Sequence, residues 1–247
     1  MKKIIAKKRW GQNFLIDKNI CKKIVKSIDM NNIDEILEIG PGTGSITELL
    51  AEKIQKITAI EIDPGLCQIL KDKNIKNLKI INRDILKIDL TNLEHKLIIG
   101  NLPYYITTPI IFNFLNSKMP WEEMYFLMQK EVADRIVATP GTKTYGRLTI
   151  MSQIFCTVER LFNVSPNVFR PIPKVESTFV KFKKSAKYNI NNYSRFQNII
   201  RTIFNKRRKK LKNCINDDMK LNFSENSNLL NKRPEQISIQ EYVELIN

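Results

Sequence analysis

The chain has 247 residues, enough to bury one α/β domain with a small appendage, and its 43% hydrophobic and 27% charged content is that of a folded globular protein, not a disordered one. Forty-one Lys and Arg against 25 Asp and Glu leave a formal charge of +16, which points to a polyanionic partner. Four scattered cysteines (Cys21, Cys67, Cys156, Cys214) with no Cys-x-x-Cys pair, and a lone His95 read as a surface residue, argue against a zinc site and a disulfide framework, so no metal and a reducing, cytoplasmic setting are expected.

The basic run Met1–Arg9 leads straight into Trp10-Gly11-Gln12 without an apolar core, so it is not read as a signal peptide. No apolar run approaches ~18 residues, so no membrane span is expected. Ile20, Ile24, Val25 and Ile28 have helical spacing. Glu35–Ile39 reads as a short strand ending in Gly40-Pro41-Gly42-Thr43-Gly44, after which Ser45 opens a helix running through Ile54. A second strand, Ile57–Ile62, is followed by Pro64 and another helix. A third, Leu78–Ile81, ends in Asn82-Arg83-Asp84, and a fourth, Lys96–Ile99, runs into Gly100-Asn101-Leu102-Pro103-Tyr104. Met124–Met128, Cys156–Phe162 and Thr178–Phe182 are further strands. Strands alternating with helices predict an α/β fold with a doubly wound, mostly parallel sheet, whose ligands sit beyond the carboxyl ends of the strands. The polar seam Ser185–Asn192 predicts a boundary between a catalytic domain, 1–184, and a small basic helical domain, 185–247.

The motifs fall at those strand ends. A Gly-x-Gly-x-Gly loop brings backbone close to a ligand, and the dinucleotide spacing G-x-G-x-x-G fails because Ser45 stands where the third glycine belongs. Glu38 also places negative charge there, suiting a cationic amino-acid ligand better than a pyrophosphate. Glu61, 21 positions beyond Gly40, can accept hydrogen bonds from both ribose hydroxyls of an adenosine, and Asp84 from an adenine amine. Asn101-Leu102-Pro103-Tyr104 has the form that handles a planar exocyclic amine, a poor nucleophile because its lone pair is delocalised into the ring. The Asn oxygen and a backbone carbonyl beside Pro103 can accept both amine hydrogens, and the Tyr104 ring can stack on the base, worth roughly 1–3 kcal/mol.

These motifs, together with Lys8-Arg9-Trp10-Gly11-Gln12-Asn13-Phe14-Leu15, Tyr145-Gly146-Arg147-Leu148, Phe169-Arg170-Pro171-Ile172-Pro173-Lys174-Val175-Glu176-Ser177 and Asn205-Lys206-Arg207-Arg208-Lys209-Lys210-Leu211, resemble the rRNA adenine dimethyltransferase family from about Ala6 to Leu211. Within it the chain looks most like the bacterial branch that dimethylates two adjacent adenosines near the 3′ end of small-subunit rRNA. The resemblance implies a Rossmann-like class I methyltransferase fold using S-adenosyl-L-methionine, with Asn13, Leu15, Gly40, Gly42, Glu61, Ile62, Asp84, Ile85 and Asn101 lining the cofactor site. Asn101, Leu102, Pro103 and Tyr104 would do the chemistry, Tyr104 and Phe169 sandwiching a flipped base. Tyr105 and Glu176 depart from the expected Asn and Asp, and Trp10 is unusual for its place.

The basic clusters fit the RNA partner that the resemblance implies, rRNA within the small subunit or its precursor. Met1–Arg9 carries five Lys or Arg and no acid, and Lys181–Lys212 carries twelve and no acid. Apolar residues at helical spacing from Tyr193 to Ile215 predict that the second cluster projects from a packed helix. Lys7, Lys8, Arg9, Arg147, Lys206, Arg207, Arg208, Lys209 and Lys210 are the expected RNA contacts, the protein acting as a monomer. A large-subunit rRNA adenine methyltransferase, sharing the same motifs, and a non-catalytic assembly factor on a methyltransferase scaffold are the rival readings.

Overall fold

The strands at the centre of the sheet are near-continuous apolar runs, as strands covered on both faces must be. The computed structural model describes residues 6–7, 10–223 and 228–247. Its elements are β1 (Phe14–Leu15), α1 (Lys18–Lys26), β2 (Glu35–Ile39), α2 (Thr47–Ala51), β3 (Lys56–Glu61), α3 (Pro64–Asp72), β4 (Leu78–Asn82), β5 (Leu97–Asn101), α4 (Thr107–Leu115), β6 (Glu123–Gln129), α5 (Lys130–Ile136), α6 (Arg147–Gln153), β7 (Cys156–Val164), β8 (Phe169–Arg170), β9 (Ser177–Lys184), α7 (Tyr193–Asn205) and α8 (Ile239–Ile246).

A seven-stranded sheet runs in the order β4-β3-β2-β5-β6-β9-β7. The first five strands pair in parallel and β9 runs antiparallel to β6. The chain moves outward from β2 to β4 and then returns to the other side of β2, so the order reverses between β2 and β5. A crevice opens at such a reversal, beyond the strand carboxyl ends.

The chain divides into two compact units, residues 1–133 with 159–183, and residues 134–158 with 184–247. The division expected at 184/185 falls beside the last of these breaks, and the second unit also takes in 134–158. In the first unit Ile36, Leu37, Ile57, Ile98, Ile99, Phe126 and Phe179 are buried in and around the sheet. Each buried side chain of this size contributes roughly 1.5–3 kcal/mol. In the second unit α7 buries Phe196, Ile199, Ile200 and Ile203, and Phe204 meets Tyr145 and Tyr242 at ring-centroid distances of 6.4 and 6.0 Å. α8 starts in a capping box, Glu241 N–H donating to Ser238 Oγ (3.2 Å) and Ser238 N–H to Glu241 Oε2 (2.7 Å).

Two expectations change. His95 is buried, not on the surface, 2.8 Å from Glu35 Oε1. The parallel register Ile36↔Leu97 brings His95, two residues before β5, beside Glu35 at the start of β2, which a polar stretch of sequence cannot reveal. The run Lys206–Lys210 does not lie on a helix. α7 stops at Asn205, and the run forms the turn beyond it, where Cys214 Sγ reaches the carbonyls of Lys206, Lys209 and Lys210 at 3.5, 3.8 and 3.3 Å. Leu211 is fully buried after that turn, so the apolar spacing that mimics a continuing helix is the anchor of a reversal.

Candidate active site

The first unit carries one cleft in which the strand-end motifs converge. Asn13, Leu15, Gly40, Gly42, Glu61, Ile62, Asp84, Ile85 and Asn101 all line it, as do Leu102, Pro103 and Tyr104. The topology explains the convergence, since Gly40, Glu61, Asp84 and Asn101 follow or end four adjacent parallel strands.

The glycine loop turns through left-handed backbone, with φ +65° at Gly40 and +59° at Gly42. A side chain is strained at both, and at Gly42 a Cβ would sit 3.2 Å from the Phe14 ring. The loop is tied to the next strand end, Gly42 N–H donating to Glu61 Oε2 (3.2 Å). Glu61 Oε1 accepts from Asp63 N–H (2.9 Å), so each carboxylate oxygen holds one donor and keeps a lone pair for another. Burial pushes the Glu61 carboxyl up, and these two N–H donors only partly oppose it. Asp84 lines the cleft, and its Oδ1 caps the following turn through Leu86 N–H (3.0 Å).

Glu38 is the feature that selects among ligands. It is 3% exposed, and its Oε2 has no hydrogen-bond partner among the described residues. Burial first, and then the neighbouring Glu61, raise its pKa to about 7. A buried carboxyl with a vacant lone-pair direction favours a cationic donor and repels phosphate. Three carboxylates around a glycine loop therefore fit a ligand carrying an ammonium group, a ribose diol and an adenine amine, which is the donor set of S-adenosylmethionine.

Beside this set stands the amine motif. Asn101 Nδ2 donates to the Asn13 carbonyl (3.1 Å), which fixes the amide flip and leaves Oδ1 as an acceptor with no hydrogen bond among the described residues. The Pro103 carbonyl accepts from Ile106 N–H (3.2 Å) and Thr107 Oγ1 (3.0 Å), locking the turn onto α4. Tyr104 is half-buried, its hydroxyl 2.8 Å from Ser177 Oγ at the start of β9. Burial pushes its phenol up, so it is neutral.

Other predicted residues lie elsewhere. Phe169 does not line the cleft; it is 1% exposed in the hydrophobic core, held there because β8 pairs with β1 in the register Leu15↔Phe169. Lys7 donates to buried Asp63. Lys8 and Arg9 lie outside the described residues. In the second unit Lys206, Arg208, Lys209 and Lys210 are exposed, whereas Arg207 is half-buried, donating to the Lys143 carbonyl and lying 3.8 Å from Glu235. Arg147 opens α6 half-buried, its Nε enclosed. The departing Glu176 forms an ion pair with Lys130 at 2.9 Å.

Sequence reasoning assigns no role to Asp63, Gln12 or Ser177, and marks Tyr105 only as a departure from the family's pattern. Asp63 before Pro64 signals only a helix cap, which it is, accepting from Gly65 N–H (2.9 Å). Ser177 and Tyr104 are 73 residues apart, and nothing local joins them. Among the described residues no helix is long and apolar enough to cross a membrane, and no group of three or more His, Cys, Asp or Glu could hold a metal ion.

Comparison with known proteins agrees with this geometry. The profile of the ribosomal RNA adenine dimethylase family matches residues 4–247. The ribosomal RNA small subunit methyltransferase A of Alkaliphilus oremlandii is 42% identical over 259 residues, covering 97% of this chain and 90% of that protein. A crystal structure of a dimethyladenosine transferase from Plasmodium falciparum superposes with a TM-score of 0.83 at 26% identity, over 94% of this chain and 95% of the other. The 23S rRNA methyltransferase ErmE shares the fold, with a TM-score of 0.72 at 24% identity over 95% and 99% of the two chains. The fold is that of the class I methyltransferases. On the strength of a match that spans its site and nearly its whole length, the chain belongs to the ribosomal RNA adenine dimethylase family.

Proposed function

We propose that this protein methylates N6 of two adjacent adenosines near the 3′ end of small-subunit rRNA, twice each, in the cytoplasm and with S-adenosyl-L-methionine as donor. The observation that carries the reading is the shared cleft: the amine motif opens beside a carboxylate-lined pocket suited to the donor, with the Asn101 acceptor already oriented by Asn13. The 42% identity to a small-subunit methyltransferase favours this branch over the large-subunit one.

The donor, when bound, supplies an electrophilic methyl on a cationic sulfur. Glu61 would hold its ribose diol, Asp84 its adenine amine and Glu38 its ammonium group. Asn101 Oδ1 and the carbonyl preceding Pro103 accept the two hydrogens of the adenine amine, which draws nitrogen toward tetrahedral geometry and restores its lone pair as a nucleophile. Tyr104 stacks on the base and, neutral, adds no charge to it. No general base is required before transfer, because alignment supplies most of the acceleration. The exposed Lys206, Arg208, Lys209 and Lys210 contact phosphates and give affinity without sequence choice.

The test is Asn101→Ala assayed on small subunits lacking the modification. Transfer is expected to fall by at least about a hundredfold, while binding of S-adenosylhomocysteine and of the subunit persists. Turnover close to wild type would remove Asn101 from the chemistry.

A further inference from the structure

Residues 10–13 form a strap along the cleft, and an ion pair from Lys7 fastens it. Trp10, Gly11, Gln12 and Asn13 all line the cleft. The fastening point is Asp63, 2% exposed at the N-terminus of α3. Lys7 Nζ donates to Asp63 Oδ1 (2.8 Å) and Gln12 Nε2 to Oδ2 (3.1 Å), while Lys7 N–H donates to Gln12 Oε1 (2.7 Å). Two side chains of the strap thus grip both oxygens of one carboxylate, and the Lys7 backbone is tied to the Gln12 side chain. Burial alone would push that carboxyl up; the hydrogen bonds from Lys7, Gln12 and Gly65 N–H outweigh it and hold it below the ordinary aspartate range.

What the strap touches gives the fastening its consequence. Asp63 N–H donates to Glu61, so the same residue steadies the proposed ribose ligand. Gly11, at φ +57°, lies against the Tyr105 ring, where a Cβ would come within 2.9 Å of Cδ1. The Asn13 carbonyl orients the Asn101 amide. A strap lifted from Asp63 would open the cleft and free the Asn101 amide to flip.

We propose that Asp63 and Lys7 are positioning residues that latch the strap formed by residues 10–15 over the cleft, retaining the donor and fixing Asn101 in its acceptor orientation. The inference rests on the reading that the cleft takes S-adenosylmethionine. It removes Lys7 from the RNA-binding set, since its ammonium is committed to a buried carboxylate of its own chain.

Two substitutions separate the latch from simple damage. Asp63→Asn keeps an oxygen to cap α3 and loses the charge. Lys7→Met changes a side chain 42% exposed and leaves Asp63 capping α3 through Gly65 N–H. The chain has two tryptophans, Trp10 in the strap and Trp121, 1% exposed, so iodide quenching of the full-length protein reports on Trp10. Both variants should raise the quenching constant at least about twofold, and weaken S-adenosylhomocysteine in calorimetry about tenfold, the size expected for a lost charge-assisted hydrogen bond. The double variant should be no worse than either single one, because both break one contact. At saturating donor kcat should fall while KM for the small subunit stays unchanged.

Quenching and affinity within twofold of wild type in both variants would overturn the latch. So would a Lys7→Met protein with weakened RNA binding beside an Asp63→Asn protein with none of these effects, which would return Lys7 to the RNA. If wild-type protein fails to bind S-adenosylhomocysteine, the cofactor reading fails, and the quenching comparison still decides the latch.

Discussion

Replacing Glu38 by Gln tests the electrostatics of the cleft. Its carboxyl is raised from an ordinary 4.5 to about 7, by burial and then by Glu61. The folded protein therefore holds a proton that the unfolded chain releases at lower pH. The stability attached to that proton is fully present below about pH 4.5, declines above it, and is gone once pH passes about 7. The shift corresponds to roughly 3 kcal/mol between those limits. In Glu38→Gln the neutral amide has nothing to titrate, so the difference in unfolding free energy between variant and wild type, both without ligand, should move in favour of the variant by roughly 3 kcal/mol from pH 5 to pH 8. For a protein of this size that is a relative gain of roughly 6–12 °C in Tm, readable by scanning calorimetry at each pH. Ligand affinity should show the opposite sign. An ammonium group stabilises ionised Glu38, so wild-type affinity for S-adenosylhomocysteine should rise from pH 6 to pH 8 while that of the variant stays lower and flatter. Tm curves that run parallel across this range would refute the reasoning, since they would mean that Glu38 carries the same charge in the folded and unfolded chain.

Other expectations follow from single contacts. Ser177→Ala removes the partner of the Tyr104 hydroxyl and should lower kcat/KM about fivefold, the worth of a net hydrogen bond of ~1 kcal/mol, with donor affinity unchanged; an effect on donor binding instead would place Ser177 in a different role. Neutralising Lys206, Arg208, Lys209 and Lys210 together should reduce the salt slope of RNA binding by about 3, at about 0.7–0.9 per phosphate contact. Arg207→Met, whose guanidinium is engaged within its own unit, should change that slope little and lower stability instead. A slope unmoved by the fourfold variant would make the turn a solvated face.

The sequence was informative where function is written in consecutive residues. Each of Gly40, Glu61, Asp84 and Asn101 stands at or just beyond a strand recognisable from its apolar run, and a parallel sheet brings such ends together whatever the loops between them do. The site was opaque where it depends on partners far apart in the chain. Lys7 and Asp63 are separated by 56 residues and Tyr104 and Ser177 by 73, distances closed only by the fold. Two-residue strands such as β1 and β8 carry no periodicity to read, and their pairing is what buries Phe169 in the core. The basic turn after α7 reads as helix because Ile203, Phe204 and Leu211 keep helical spacing, whereas the cysteine that closes the turn has no local signature.

The central claim is tested most directly by incubating the protein with labelled S-adenosylmethionine and small ribosomal subunits that lack the modification, then mapping the modified nucleosides by mass. The account predicts N6,N6-dimethyladenosine at two adjacent positions near the 3′ end of the small-subunit rRNA. Label confined to large-subunit RNA, or bound donor with no transfer to either subunit, would contradict it.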